Sequence, residues 1–283
     1  MIRIIALIIC FLLKRTKMHR AIKKSHPLIW RPDGSKTEER LVASEIPLVL
    51  EYNCKSHAVM MISPFDIQDF AIGFSLTEGI IDKLKNIMGL TINQKDKGLV
   101  AALEITPEYF ARLDEFGRTM AGRTGCGICG TDRLDHVLRP LTPVKSQLRV
   151  KAEIVHSSMQ NLSRQQVENK KTGALHAAAF VTQEGKILCV REDIGRHNAL
   201  DKLIGHMMQE EINPADGFAL ITSRCSFEMV HKCATFGIPV LAAVSATTDL
   251  ALSLAEDAEL TLIAFTRKDG MNIYCDPKGR ITI

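Results

Sequence analysis

The 283 residues contain no G-x-x-x-x-G-K-[ST] loop, H-E-x-x-H helix or G-x-S-x-G elbow. That argues against several common NTPase, metalloprotease and esterase classes. There is no second C-x-x-C and no H-x-x-x-H pair, so a closed four-ligand zinc site has poor support. Aromatics are scarce at 5%, and glycine and proline are ordinary, with no sign of disorder, a collagen-like chain or a repeat array. The apolar run Ile4–Leu13 is too short to span a bilayer as a helix. Arg3 before it gives the look of a signal peptide, but Lys14-Arg15-Thr16-Lys17 follows with no small-residue cleavage site.

A basic excess is also lacking once the N-terminus is set aside. Seven of the 36 basic residues lie within residues 1–24, which hold no acid; this leaves 29 basic against 32 acidic residues. The body is not a general polyanion binder, so nucleic acid is not an expected partner and any nucleotide site must be local. Eight cysteines in a chain this long do not make a small secreted disulfide framework. A reducing, cytoplasmic setting is expected, without stable membrane insertion.

Residues 1–40 read as an irregular lead-in, and Met18 is an alternative start that would make residues 1–17 an extension. An α+β part is expected over 41–120. It holds strand pairs at Pro47–Asn53 with His57–Ser63 and at Met88–Asn93 with Leu99–Ile105. A helix is expected over Phe65–Glu78, capped by Ser63 with Pro64 at its start, and a short one over Pro107–Phe116. Residues 121–150 read as a mobile loop and linker. Over 151–283 the pattern predicts an amphipathic helix, Ala152–Asn169, then a β-hairpin and alternating helices and short apolar strands. Such strands imply an α/β domain with a mixed sheet covered on both faces.

The densest chemistry lies in Arg123-Thr-Gly-Cys126-Gly-Ile-Cys129-Gly130. Two thiols at this spacing can share a metal, cycle as a disulfide or pass sulfur between them, and the glycines suit a tight or mobile loop. A histidine among small residues, Thr172-Gly-Ala-Leu-His176-Ala-Ala-Ala179, permits close approach of a backbone or ligand. It faintly echoes the H-x-E of zinc deaminases, but Ala178 stands where their glutamate belongs, so deaminase chemistry has little support. Arg191-Glu-Asp193-Ile-Gly195-Arg196-His197-Asn198-Ala-Leu-Asp201-Lys202 lies at a strand-to-helix junction. There Arg191 and Arg196 suit phosphates, Asp193 a helix cap, and His197 with Asp201 an i, i+4 pair. Ser223-Arg224-Cys225-Ser226 and Ser245-Ala-Thr247-Thr248 are hydroxyl-bearing turns suited equally to capping or to anions. Phe265-Thr266-Arg267-Lys268-Asp269-Gly270 sets two cations beside a glycine turn.

In this order, from about residue 44 to 276, these motifs resemble the formate dehydrogenase accessory sulfurtransferase family (FdhD). The resemblance implies a cytidine-deaminase-like α/β fold and a homodimer. It implies that sulfur is accepted from a cysteine desulfurase as a persulfide on Cys126, with Cys129 assisting. The sulfur then passes to the molybdenum of a bis-molybdopterin guanine dinucleotide cofactor, a bound substrate destined for the formate dehydrogenase apoprotein; no permanently bound metal is expected. Phe265, Thr266, Arg267, Lys268, Asp269 and Gly270 match the family's cofactor-binding stretch, with His176, Arg191, Arg196 and His197 as further cofactor-facing residues. The chain departs from the family pattern at Thr247, where proline is expected, at Asp269 and Gly270, and at Cys225, where alanine or valine is usual. A non-catalytic chaperone that binds the same cofactor is the alternative reading, and a zinc-dependent deaminase-like hydrolase a third.

Overall fold

The computed structural model describes residues 21–115 and 141–283. The first four strands are β1 (Ile22–Ser25), β2 (Leu28–Arg31), β3 (Gly34–Thr37) and β4 (Arg40–Ala43). β2 pairs with β3 across Pro32-Asp33, and β1 with β4 outside them. Together they make a ribbon where an irregular lead-in was expected. Proline and aspartate followed by glycine are the residues a two-residue hairpin loop selects, and Gly34 sits at φ 142. Neither face of β3 is covered, and Trp30 on β2 is 73% exposed.

The second unit holds β5 (Ile46–Tyr52), β6 (Lys55–Ile62), helix α1 (Ile67–Thr77), β7 (Ile87–Lys95), β8 (Gly98–Ile105) and helix α2 (Pro107–Glu115). Its sheet runs β6-β5-β8-β7, with β5 parallel to β8 and both strand pairs foreseen as hairpins antiparallel. Burial in β5 alternates residue by residue, the period-two signature of a strand with one face on a core. The expected cap of α1 is not formed. The helix opens after Asp66, in a left-handed conformation with no side-chain cap. Ser63 is held instead by the loop after β11, described below: its hydroxyl accepts from the Ile194 N–H and its own N–H donates to Asp193.

The third unit begins with β9 (Val150–Lys151), helix α3 (Ala152–Leu162) and the single turn α4 (Asn169–Thr172). The expected single helix over Ala152–Asn169 is thus interrupted, because the Glu192 carboxylate takes the Glu168 and Asn169 N–H groups and starts a new turn there. Next come β10 (His176–Thr182), β11 (Ile187–Asp193), α5 (Arg196–Gln209), β12 (Gly217–Ile221), α6 (Phe227–Phe236), β13 (Val240–Ala243), α7 (Asp249–Asp257), β14 (Thr261–Arg267), β15 (Gly270–Cys275) and β16 (Ile281–Thr282). The six-stranded mixed sheet is ordered β11-β10-β12-β13-β14-β15. Alternate residues of its strands face opposite layers. Ala178, Phe180, Ala219, Ile221, Leu241 and Leu262 join one core with the helical side chains Phe70, Phe74, Leu203 and Met229. Ala179, Val181, Phe218, Leu220 and Ile263 join another with Val155 and Met159 of α3. The sheet covered on both faces is therefore as expected. No helix among the described residues is long and apolar enough to cross a membrane.

α1 and α5 cross at two glycines. A Cβ on Gly73 would lie 1.8 Å from the Asp201 carbonyl oxygen, and one on Gly205 would lie 1.9 Å from that of Asp69. Backbone lies against backbone, so no side-chain rotation can make room. Gly205→Ala is expected to cost about 3 kcal/mol or more by overpacking, read as a fall in the midpoint of chemical denaturation; an unchanged midpoint would refute the tight crossing.

Candidate functional site

β10 is antiparallel to both β11 and β12, while β12, β13 and β14 are mutually parallel. Hence β11, β12, β13 and β14 run the same way and end on one edge of the sheet, where β10 begins. In open α/β sheets this carboxyl edge is where ligands bind. It collects most of the residues singled out in the sequence: His176, Gly195–His197, Ser223–Ser226, Ser245–Thr248 and the end of β14. The N-termini of α5, α6 and α7 open here, each with orphan N–H groups and a positive dipole end.

The three charges of Arg191-Glu192-Asp193 point three ways. Arg191 Nε donates to Asp69 Oδ2 of α1 at 2.6 Å, a link between α1 and β11. Glu192, buried, starts α4 as described. Asp193 is fully buried: its Oδ1 accepts from the Gly195 N–H and Asn198 Nδ2, both at 2.8 Å, and its Oδ2 lies 2.7 Å from Lys202 Nζ. Asp193 therefore shapes the turn that leads into α5, but the N-cap position is Gly195 with no side-chain cap, so the expected cap is not formed. The ammonium of Lys202 also lies 4.2 Å from the centre of the Phe65 ring. Its pKa is pushed down by burial, against the pull of Asp193.

The expected His197–Asp201 pair does not form. Asp201 turns inward, where it accepts from Lys232 Nζ at 2.9 Å and from Thr77 Oγ1 at 2.7 Å. His197 Nε2 instead meets Glu228 Oε2 of α6 at 2.6 Å. The contact joins residues 31 apart on different helices, so no local pattern in the sequence signals it. His176, half-buried at the start of β10, has its pKa lowered by burial, with Arg196 and His197 nearby adding to the effect. That coupling places the three side chains in one electrostatic neighbourhood.

The turns after β12 and β13 are tied together. The Cys225 N–H donates to the Ala246 carbonyl at 2.9 Å, and Thr247 Oγ1 donates to the Cys225 carbonyl at 3.2 Å. Thr247, in place of the expected proline, supplies a hydroxyl cross-link. Thr248 caps α7 through its hydroxyl, and Arg224 is exposed between the capping turns. At the end of β14, Phe265 adopts φ 51, which is strained for an aromatic residue. The Arg267 guanidinium lies 5.2 Å from the Phe265 ring, and its Nε donates to the Val244 carbonyl. Thr266 is buried, and its hydroxyl has no partner. Lys268 and Asp269 are exposed in the turn, and Gly270 sits at φ 142.

Cys126 and Cys129 lie outside the described residues. Of the described cysteines, Cys54 is exposed, Cys275 partly so, and Cys189, Cys225 and Cys233 are buried. Burial pushes the Cys189 thiol up to about 11 and those of Cys225 and Cys233 well above their ordinary value. The unexpected Cys225 is thus a buried apolar side chain. Among the described residues no group of three or more His, Cys, Asp or Glu side chains is placed to hold a metal ion.

The model of the FdhD/NarQ family matches residues 43–282. The chain is 47% identical over 236 residues to the sulfur carrier protein FdhD of Variovorax paradoxus, covering 83% of this chain and 85% of that one. Against the protein of the same name from Bordetella petrii it is 45% identical over 245 residues, covering 87% and 88%. Its fold is similar to the crystal structure of a candidate formate dehydrogenase accessory protein from Desulfotalea psychrophila. That similarity has a TM-score of 0.72, covering 93% of this chain and all of that one at 22% identity, and supports the fold alone.

Two outcomes are expected. Arg191→Met leaves Asp69 without its cation and should cost roughly 3 kcal/mol in thermal unfolding, with no change in nucleotide affinity; lost affinity in a folded variant would return Arg191 to the edge. Brief alkylation of the native protein at neutral pH should modify Cys54 and spare Cys189, Cys225 and Cys233, because the thiolate is the reacting species. Peptide mapping reads the pattern, and labelling of Cys225 before unfolding would contradict its burial.

Proposed function

Because the chain belongs to the FdhD/NarQ family, we propose that it carries sulfur for the maturation of formate dehydrogenase. The observation that supports this most directly is the extent of the family match, which takes in both the C-x-x-C segment and every turn of the carboxyl edge. In this reading the two regions divide the work: the thiols handle sulfur, and the edge holds the cargo that receives it.

The chemistry follows from the residue types. A Cys126 thiolate attacks the outer sulfur of a desulfurase persulfide, forming Cys126–S–SH and releasing the desulfurase cysteine as its thiolate. That outer sulfur is at the zero-valent level, so its departure as sulfide takes two electrons. Cys129 supplies them by attacking the inner sulfur: the Cys126–Cys129 disulfide forms, HS⁻ leaves toward the molybdenum, and a thiol reductant reopens the disulfide. The cargo is the molybdenum bis-molybdopterin guanine dinucleotide. Its pyrophosphates suit the N-termini of α5, α6 and α7 with Arg196, Arg224, Arg267 and Lys268 around them. In this reading the protein works in the cytoplasm as a homodimer, between a cysteine desulfurase and the formate dehydrogenase apoprotein.

The first test is mass spectrometry of the reduced protein after incubation with a cysteine desulfurase and cysteine. The expected result is added sulfur mapped to Cys126 and removed by reductant, with Cys126→Ala losing both the adduct and the activation of formate dehydrogenase. Activation that survives Cys126→Ala would instead establish the non-catalytic chaperone. The edge is tested separately: Arg267→Ala should weaken binding of guanosine diphosphate roughly tenfold, about 1.4 kcal/mol, in a calorimetric titration. Unaltered affinity would remove Arg267 from the site.

A further inference from the structure

We propose that Glu228 is a positioning residue for the anionic cargo, acting through His197 at the carboxyl edge of the sheet. This rests on the cofactor-binding reading of that edge given above.

The edge carries Arg196, Arg224, Arg267 and Lys268, and three helix N-termini open onto it. A carboxylate among these groups works against an anionic ligand unless it serves a cation. Asp193 on β11 is accounted for by Lys202 at 2.7 Å. Asp249 on α7 and Asp269 in the β14–β15 turn are exposed to solvent. Glu228 is different: its side chain is only 11% exposed, it lies in the first turn of α6, and its nearest polar partner is the His197 ring at 2.6 Å, itself 13% exposed. Ser226 Oγ donates to the same carboxylate oxygen at 3.4 Å.

A carboxylate only accepts, so the imidazole nitrogen that meets it carries a proton and the ring is held in one orientation. The contact also spans the sheet order. α5 follows β11 and α6 follows β12, with β10 and its His176 lying between. One hydrogen bond thus ties together the first turns of two helices that follow different strands. In an arrangement of this kind, the outer carboxylate sets the orientation of the histidine that meets the ligand.

The sign of one substitution separates this role from that of a bystander. The experiment is calorimetric titration of the full-length protein with guanosine diphosphate, for the wild type, Glu228→Gln, His197→Gln and the double variant. If Glu228 positions His197, Glu228→Gln weakens binding at least fivefold even though it removes a negative charge from an anion site. The double variant then binds no more weakly than His197→Gln alone, since the glutamate acts only through the histidine. Binding by Glu228→Gln that equals or exceeds that of the wild type would overturn the proposal, as would losses that simply add. Should Glu228→Gln not fold, the ¹⁵N-histidine spectrum of the wild type decides: the His197 ring resonances must shift on addition of guanosine diphosphate, and unmoved resonances would overturn the proposal. A wild-type protein that binds no guanosine diphosphate overturns the cofactor-binding reading itself, and this inference with it.

Discussion

The crossing of α1 and α5 at Gly73 and Gly205 is the constraint on which the rest of the structure depends. Each glycine lets the other helix's carbonyl oxygen into the space a Cβ would fill, so the N-terminal sheet unit and the six-stranded sheet share one apolar core. Helices this close leave no room for long apolar side chains at the crossing itself. Specificity there comes from polar links around its rim.

Three such links join the two units, each taking one partner from either side. Arg191 of β11 meets Asp69 of α1. Lys202 of α5, beside Asp193, reaches the Ser63 carbonyl before α1. Lys232 of α6 and Asp201 of α5 meet Thr77 at the end of α1. Buried ion pairs return little net stability, because desolvation consumes most of the Coulomb attraction. Their effect is geometric: a shifted α1 would strand a buried charge, and only one docking satisfies all three. Arg280 does the same for the C-terminus, with its buried guanidinium donating to the Val144, Pro239 and Glu259 carbonyls.

This framework explains the division of labour within the dense polar run at 191–202. Residues facing the α1–α5 layer (Arg191, Asp193, Asp201, Lys202) are used up by the fold. Arg196 and His197, on the first turn of α5, are what the fold presents at the carboxyl edge. Asp193 links the two roles, because the carboxylate that neutralises Lys202 also shapes the turn that carries Arg196 and His197. The hydroxyl cross-link from Thr247 to the Cys225 carbonyl holds the next two turns in the same way.

Local pattern was enough for most elements. The period-two alternation of β5, the Gly237 that ends α6 and the short apolar strands β12, β13 and β14 all signal their structure within a few residues, because steric and burial rules act at that range. The Pro32-Asp33-Gly34 signal was equally local but was outweighed by the polar composition around it. The sequence by itself determined the α/β class, the motifs that mark the family and the turns that would carry chemistry. Only the tertiary structure decided which polar side chain pairs with which. Arg191 and Arg196 look alike in sequence, and their difference depends on Asp69, 122 residues away. His197 was equally placed to meet Asp201 on its own helix or Glu228 on another. Charge pairing is chosen by three-dimensional proximity, and at these distances along the chain no local rule encodes it.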